Sequence, residues 1–474
     1  MTTTAGGSMS APVSLHLQSL GCARNDVDSE ELAGQFAAAG FTLVAEPGAA
    51  DVIVVNTCGF IEAAKKDSID TLLAAAEYKQ AGSARAVVAV GCLAERYGAE
   101  LGHALPEADA VLGFDAYPGL ADRIRDILAG VPVDSHVPQD RRLRLVPVSE
   151  PRAWLEPPAH AGPASGPRPP RRRLDDSPYA PLKIASGCDR RCSFCSIPSF
   201  RGSFRSRAGA DILAEARWLV STGVREVMLV SENTTAYGKD VRNMRALEDL
   251  LRALGEVEGL DRVRLSYLQP AEMRDTLLAA MAEAPNVVGY LDLSFQHAAP
   301  AVLRRMKRYG SPDIFLGLLE RGRAAMPGTG ARSNVIVGFP GETEADVAVL
   351  RDFLVAADLD AVGVFGYSDE EGTAAYDLPG HLDAAEIDAR VAEVSALADE
   401  LIAARAESRI GSRVEVLVEQ AGSEVVGRAG HQGPEVDGNA VLTGCGVCRV
   451  GDIVPGVVVG SSGADLVVEG ERSE

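Results

Sequence analysis

The sequence predicts an α/β protein in three parts: an N-terminal parallel α/β sheet, a central open (β/α) partial barrel, and a small C-terminal antiparallel β-barrel. Three observations carry that prediction. Short β-branched runs alternate with helical patterns in two separate arrays, as in parallel sheets covered by helices. A proline-dense stretch interrupts them, with nine prolines between Pro151 and Pro181. After Gly411 the texture changes to short alternating strands separated by Gly, Asp and Asn. These shifts divide the chain into residues 1–135, a linker at 136–177, and residues 178–410 and 411–474.

In the first array, strands are expected at Ser14–Gln18, Phe41–Ala45, Asp51–Asn56, Ala86–Val90 and Ala110–Leu112. Helical patterns between them run over Asp26–Ala39, Ile61–Ala76, Ala94–Ala104 and Leu120–Leu128. The linker contains Arg168-Pro-Pro-Arg-Arg-Arg173, expected as a solvated basic run, with nucleic-acid contact as the alternative. In the second array, strands are expected at Leu182–Ala185, Glu226–Val230, Arg262–Ser266, Val288–Leu293, Ser333–Val337 and Ala361–Phe365. Helices at Ile212–Thr222, Ala246–Val257, Ala271–Ala284, Pro312–Ala325 and Ala345–Ala356 intervene. Six consecutive βα units describe an open barrel whose functional groups sit at the carboxyl ends of its strands. A long helix at Ala384–Ser408 precedes the barrel strands, which include Val414–Glu419 and Val457–Val459.

Apolar residues make up 46% and charged residues 24%, enough to bury large cores. Lys and Arg total 46 against 67 Asp and Glu, a net charge of -21, which argues against affinity gained by wrapping a phosphate backbone. By segment the balance is -10 for residues 1–135, -5 for 136–410 and -6 for 411–474, so the acidity lies at the two ends. Residues 1–10 lack the positive start and apolar stretch of a signal peptide, and no run approaches the roughly 18 apolar residues of a membrane helix. A cytoplasmic, reducing location is expected, where thiols serve metals or catalysis.

Cys188-Asp-Arg-Arg-Cys192-Ser-Phe-Cys195 is the strongest chemical signal. Three thiolates can hold three irons of a 4Fe–4S cluster and leave the fourth open to a small molecule. A zinc site lacking its fourth ligand is the plainer alternative. Cys22, Cys58 and Cys92 form a second set, each at the carboxyl end of an expected strand. Their separations of 36 and 34 residues match whole strand–helix–strand units. If the strands are parallel, all three loops open on one sheet edge and the cysteines can converge; the alternative is three buried structural cysteines. Asn25, Asp28 and Glu30 look like helix-start residues, with a possible place in lining that site.

These residues resemble the radical S-adenosylmethionine (SAM) superfamily and, more narrowly, its methylthiotransferase family. The resemblance covers nearly all the chain outside the linker and rests on Leu20-Gly-Cys-Ala-Arg-Asn25, Asn56-Thr-Cys-Gly-Phe60, Gly91-Cys-Leu93, Ile197-Pro-Ser-Phe-Arg-Gly202 and Val337-Gly-Phe-Pro-Gly-Glu-Thr343. It implies an N-terminal cluster domain, a radical SAM core of partial TIM-barrel type and a C-terminal TRAM barrel. One branch of the family modifies an adenosine of tRNA, and the other an aspartate of the twelfth small-subunit ribosomal protein. Gln296-His-Ala-Ala-Pro300, Tyr367-Ser-Asp-Glu-Glu-Gly-Thr373 and Gly433-Pro-Glu-Val-Asp-Gly438 resemble the ribosomal branch. A TRAM barrel that binds tRNA should be basic, whereas an acidic one suits a basic protein substrate.

The resemblance further implies two 4Fe–4S clusters, held by Cys22, Cys58 and Cys92 and by Cys188, Cys192 and Cys195, with SAM as cosubstrate. Phe194 would lie beside the adenine and Glu232 near the SAM amino group, although the loop Val230-Ser-Glu-Asn-Thr-Thr departs from the family's usual Gln-Asp. His297, Glu370 and Glu371 are candidate substrate contacts. The implied reaction is methylthio insertion at the β-carbon of an aspartate, a position where a side-chain base cannot suffice and a radical is needed. An electron donor is required, and no membrane or dedicated nucleic-acid partner is expected. The alternatives are a tRNA adenosine methylthiotransferase and a non-catalytic iron–sulfur factor that binds the ribosome. Cys445-Gly-Val-Cys448 lies outside the family pattern and is expected as a hairpin with free thiols.

Overall fold

A computed structural model of the chain describes residues 12–59, 61–141, 171–434 and 436–471. Residues 1–11, Phe60, residues 142–170, Glu435 and residues 472–474 lie outside the described residues, and with them most of the proline-rich linker. The chain forms two compact units, Met1–Asp175 and Asp176–Glu474.

The first unit is built on β1 (Ser14–Ser19), α1 (Ala23–Ala38), β2 (Thr42–Leu43), β3 (Val52–Thr57), α2 (Glu62–Gln80), β4 (Ala86–Gly91), α3 (Cys92–Ala104), β5 (Ala110–Val111) and α4 (Leu120–Leu128). Its five strands are all parallel, in the order β2-β1-β3-β4-β5. Every residue of β3 and β4 is buried, which is why their sequences are continuous apolar runs rather than alternations. Ile53 and Val55 pack with Leu72 and Ala75 of α2 and Leu93 and Leu101 of α3. Their neighbours Val52 and Val54, on the opposite face, are equally buried.

The second unit begins with β6 (Tyr179–Lys183), β7 (Ala185–Ser186), α5 (Ile197–Arg201), β8 (Arg205–Ser206), α6 (Gly209–Ser221), β9 (Glu226–Val230), α7 (Ala246–Gly255), β10 (Arg262–Leu265) and α8 (Asp275–Glu283). It continues with β11 (Tyr290–Asp292), α9 (Pro300–Arg305), α10 (Pro312–Ala325), β12 (Gly330–Val337), α11 (Glu344–Ala357), β13 (Ala361–Gly366) and α12 (Ala384–Ser408). Strands β10-β9-β6 and β11-β12-β13 form two parallel sheets. Single bridges Val263–Val287 and Leu268–Leu293 join them, so the six strands follow one another in chain order as an open barrel. Its interior is apolar, with Leu229, Val263, Leu265, Leu291, Val335 and Val337 almost fully buried. The helices α5 and α9 were not expected; each is short and carries a proline at its first or second position.

Strands β14 (Arg413–Gln420), β15 (Val425–Ala429), β16 (Ala440–Thr443), β17 (Ile453–Ser462) and β18 (Asp465–Gly470) close the C-terminal barrel in the order β14-β15-β16-β18-β17. The expectation of an antiparallel barrel needs one correction, because β16 and β18 pair in parallel. The reason is topological: β17 turns antiparallel to both β14 and β18, which brings β18 back alongside β16 in the same direction.

This small barrel is fixed to the amino ends of the sheet strands by buried charge. Glu226, at the start of β9, pairs with Arg264 (2.9 Å) and with Arg428 of β15 (3.2 Å). Arg428 also binds Glu419 (2.6 Å), and Arg262 donates to the Arg428 and Glu415 carbonyls (3.0 and 2.6 Å). Tyr290 Oη and Arg332 both reach Asp437 (2.5 and 3.2 Å). Burial would raise the Glu226 carboxyl, but the three arginines outweigh it and hold the group well below the usual range.

Candidate functional site

The first cysteine set lies at the carboxyl ends of parallel strands, and the second in one loop after β7. Cys22 caps the start of α1 just after β1, Cys58 follows β3, and Cys92 opens α3 directly after β4. Because β1, β3 and β4 are adjacent and parallel, the three loops emerge from one edge of the sheet. Gly21 allows the closest approach. At a φ of +100° it accepts a backbone form that other residues avoid, and a Cβ there would stand 2.9 Å from Cys58 Sγ.

Asn25 ties the three loops together. Its Nδ2 donates to the carbonyls of Leu20 (2.8 Å) and Thr57 (3.1 Å), while Cys92 Sγ lies 3.7 Å from its Oδ1. Arg24 Nη2 stands 3.7 Å from Cys22 Sγ. Ser68 Oγ accepts from the Cys58 amide (2.9 Å) and so fixes that loop to α2. Asp28 is buried, and Glu30 turns away to Arg171 (2.5 Å) and Arg173 (3.4 Å). The described end of the basic run is only partly solvated: Arg171 is 6% exposed and anchored on α1, while Arg172 is exposed.

In the second unit, Cys188, Cys192 and Cys195 occupy one loop after β7. Gly187 admits the turn, since at φ +81° its Cβ would meet the Ser203 carbonyl at 2.3 Å. The Cys188 amide donates to the Gly202 carbonyl (3.1 Å), and Cys195 N donates to the Cys192 carbonyl (3.2 Å). Ser193 holds the loop from the other side: its amide donates to the Met306 carbonyl (3.1 Å) and its hydroxyl to that of Arg305 (2.7 Å). Burial, with smaller contributions from Cys192 and Glu232, pushes the Cys188 thiol up to about 11 despite a hydrogen bond from the Arg190 amide. A desolvated thiol of this kind becomes a thiolate readily only beside a cationic centre.

The flanking residues divide into engaged and accessible groups. Glu232 is buried beside Cys188 and 3.6 Å from Arg201 Nε, an arginine within the quoted Ile197–Gly202 motif. Phe194 is half-buried and packs on the cluster of Val302, Met306, Phe339 and Tyr367. Glu370 is buried and accepts from Ser368 Oγ (2.8 Å), whereas its neighbour Glu371 is exposed. His297 is held within the loop after β11. It is 0% exposed; its Nδ1 accepts from Ala299 N (2.9 Å), which leaves the ring proton on Nε2, 3.2 Å from Glu342 Oε2.

Two residues at this mouth, Glu272 and Arg308, had no sequence signal. Glu272, after β10, gathers Arg190 (2.8 Å), Lys239 (2.7 Å), Asn233 (3.2 Å) and Thr235 (3.3 Å). Burial opposes its ionisation, but Lys239 and Arg190 prevail and keep its carboxyl below the usual value. Arg308 reaches Cys192 Sγ at 3.5 Å. Cys445 and Cys448 are not free thiols as expected but are paired with one another in the loop after β16.

Among the described residues, no three His, Cys, Asp or Glu side chains form the shell of a single metal ion. Both sets offer three cysteines without a fourth ligand of the same kind, and each has an arginine donor beside one sulfur.

Known proteins share the three parts of this chain. Residues 14–113 match the model described as "Uncharacterized protein family UPF0004", 182–354 match the Radical SAM superfamily, and 410–470 match the TRAM domain. "Ribosomal protein uS12 methylthiotransferase RimO" of Nocardioides sp. is 59% identical over 464 residues, covering 96% of each chain. The protein of the same name from Kineococcus radiotolerans is 59% identical over 470 residues, covering 96% of this chain and 97% of that one. Among solved structures, the radical SAM methyltransferase TsrM from Kitasatospora setae shares the fold at a TM-score of 0.53 and 15% identity, over 75% of each chain.

Proposed function

The chain belongs to the ribosomal protein uS12 methylthiotransferase (RimO) family, whose members are radical SAM enzymes, and on that premise we propose how its own residues divide the work. The enzyme uses two 4Fe–4S clusters and SAM. Cys22, Cys58 and Cys92 are the ligands of one cluster, and Cys188, Cys192 and Cys195 of the other. The observation that carries this assignment is that the first triplet sits at the carboxyl ends of three adjacent parallel strands and the second in a single loop after β7. Bound there, the clusters supply an open iron and a single electron, chemistry that side-chain acids and bases cannot provide at an aspartate β-carbon.

The rest is positioning. Arg201 holds Glu232 beside Cys188, in reach of a cosubstrate ammonium. Phe194 offers an aromatic edge against the adenine. The Glu272 carboxylate keeps Lys239 and Arg190 aimed into the mouth, and Glu371 is the accessible member of the glutamate pair facing substrate. His297 and Glu342 fix the β11 loop rather than touching substrate. The C-terminal barrel supports a basic protein partner: Glu415, Glu424, Asp452, Asp465, Glu469 and Glu471 are exposed, while Arg428, one of its four cations, is buried. The segments 1–135, 136–177, 178–410 and 411–474 serve as cluster domain, linker, radical domain and TRAM domain. A ribosomal substrate supports a cytoplasmic site of action, and reductive chemistry calls for a protein electron donor.

Anaerobic reconstitution tests the assignment. The Cys22/Cys58/Cys92 triple alanine variant should keep about half of the wild-type iron, as should the Cys188/Cys192/Cys195 variant. Neither should place a methylthio group on the uS12 aspartate, read as a mass shift of the substrate protein. Full iron content in either variant would overturn its ligand set.

A further inference from the structure

Arg308 belongs to none of the motifs, yet it is held against a cluster-ligand sulfur from three directions. Helix α9 ends in a reversed turn in which Lys307 N donates to the Arg304 carbonyl (3.0 Å) and Arg308 N to that of Leu303 (2.8 Å). This is the paired C-terminal bond pattern that needs a left-handed residue, and Lys307 supplies it at φ +55°. A lysine in that conformation is strained relative to glycine, so the turn is held by its surroundings. Those surroundings are the cysteine loop itself: Ser193 caps the carbonyls of Arg305 and Met306 that the helix end leaves over. The same turn delivers Arg308. Its Nη2 donates to Gln269 Oε1 (2.8 Å) and to the Ser294 carbonyl, at the ends of β10 and β11, while Nη1 lies 3.5 Å from Cys192 Sγ.

We infer that Arg308 sets the reduction potential of the cluster held by Cys188, Cys192 and Cys195, through a charge-assisted hydrogen bond to Cys192 Sγ. The inference rests on the ligand assignment above and goes beyond it. A thiolate-ligated cluster gains negative charge when it takes an electron. An N–H donor and a full positive charge at a ligand sulfur stabilise that reduced form and raise the potential. The Arg308 fork is held by Gln269 and Ser294, so little ordering is required when the cluster is in place. The group is a positioning and tuning residue that acts through the sulfur.

The test is a potentiometric titration followed by electron paramagnetic resonance on the full-length chain. The N-terminal cysteines are replaced by alanine, so that only the Cys188/Cys192/Cys195 cluster gives the signal. Arg308→Gln should lower the reduced-to-oxidised ratio at a fixed poise about tenfold, a shift of about 59 mV for a one-electron couple. Arg308→Lys keeps the charge but loses the fork, and it should fall between wild type and Gln. An unchanged potential in a fully iron-loaded Gln variant overturns the inference. So does failure of both variants to load iron, which makes Arg308 a folding residue. A parent protein that holds no cluster overturns the ligand assignment instead, and the two failures are thereby told apart.

Discussion

The two cysteine triplets reach the same chemical end by opposite routes. Cys188, Cys192 and Cys195 fall within eight residues of one another in a single loop, so their proximity is local and inexpensive in chain entropy. Cys22, Cys58 and Cys92 span 71 residues and meet only because β1, β3 and β4 pair in parallel register. A loop triplet depends on the turn that shapes it. A strand-end triplet depends on the whole sheet and on the few side chains, Asn25 foremost, that draw the loops together. The second route makes the first unit's site the more sensitive to remote damage.

The largest expected effect separates the units themselves. Glu226→Gln leaves Arg264, Arg262 and Arg428 without their buried counter-charge and should cost the second unit about 3–5 kcal/mol, read as a lower melting transition. The first unit should melt as before. The pH dependence has a definite sign. The folded Glu226 carboxyl titrates below its ordinary 4.5, so its contribution is complete above that pH and lost as the pH falls toward the lowered value. The Gln variant should therefore show a flatter acid limb by chemical denaturation.

Asn25→Ala probes the strand-end route. It strips the donors from two carbonyls in the first unit and should cost about 1–3 kcal/mol. Iron at the Cys22/Cys58/Cys92 site should fall while the other cluster stays loaded, checked by iron analysis of single-cluster backgrounds. Gly21→Ala should act in the same direction at a similar cost, about 1–3 kcal/mol, through its left-handed φ and its contact with Cys58. Ser193→Ala is the matching change in the loop route. It removes one hydroxyl bond at about 1 kcal/mol and should leave both clusters in place. If Ser193→Ala empties its site while Asn25→Ala spares the other, the contrast between local and sheet-built triplets is wrong.

Much of this was legible before any coordinates. Leu-Gly-Cys, Asn-Thr-Cys and Val-Gly-Cys each follow an apolar run, and parallel pairing alone then brings the cysteines to one edge. The capping box that starts α11, with Thr343 and Asp346 bonding reciprocally, came only with the structure. What stayed hidden lies in side chains whose partners are far along the chain. Arg428 and Glu226 are separated by 202 residues, and Arg308 and Cys192 by 116, distances at which no periodicity carries information. Helices α5 and α9 are too short to show a period. His297 shows the same limit: position at a strand end marks a loop, but its burial and its Glu342 partner could not be read from the sequence. The parallel β16–β18 pair was invisible because alternation reports a strand's faces and not its direction.

The charge cluster beneath the sheet also bears on how this protein can change over generations. Glu226 answers to Arg264, Arg262 and Arg428 together, and Arg428 to Glu419 as well. A mutation at any one of them leaves a charge stranded, so drift at these sites must proceed in compensated pairs. The small barrel is thus not freely exchangeable between paralogues that recognise different substrates. A graft that brings a new recognition surface must also bring the arginine and aspartate that the sheet expects at positions 428 and 437.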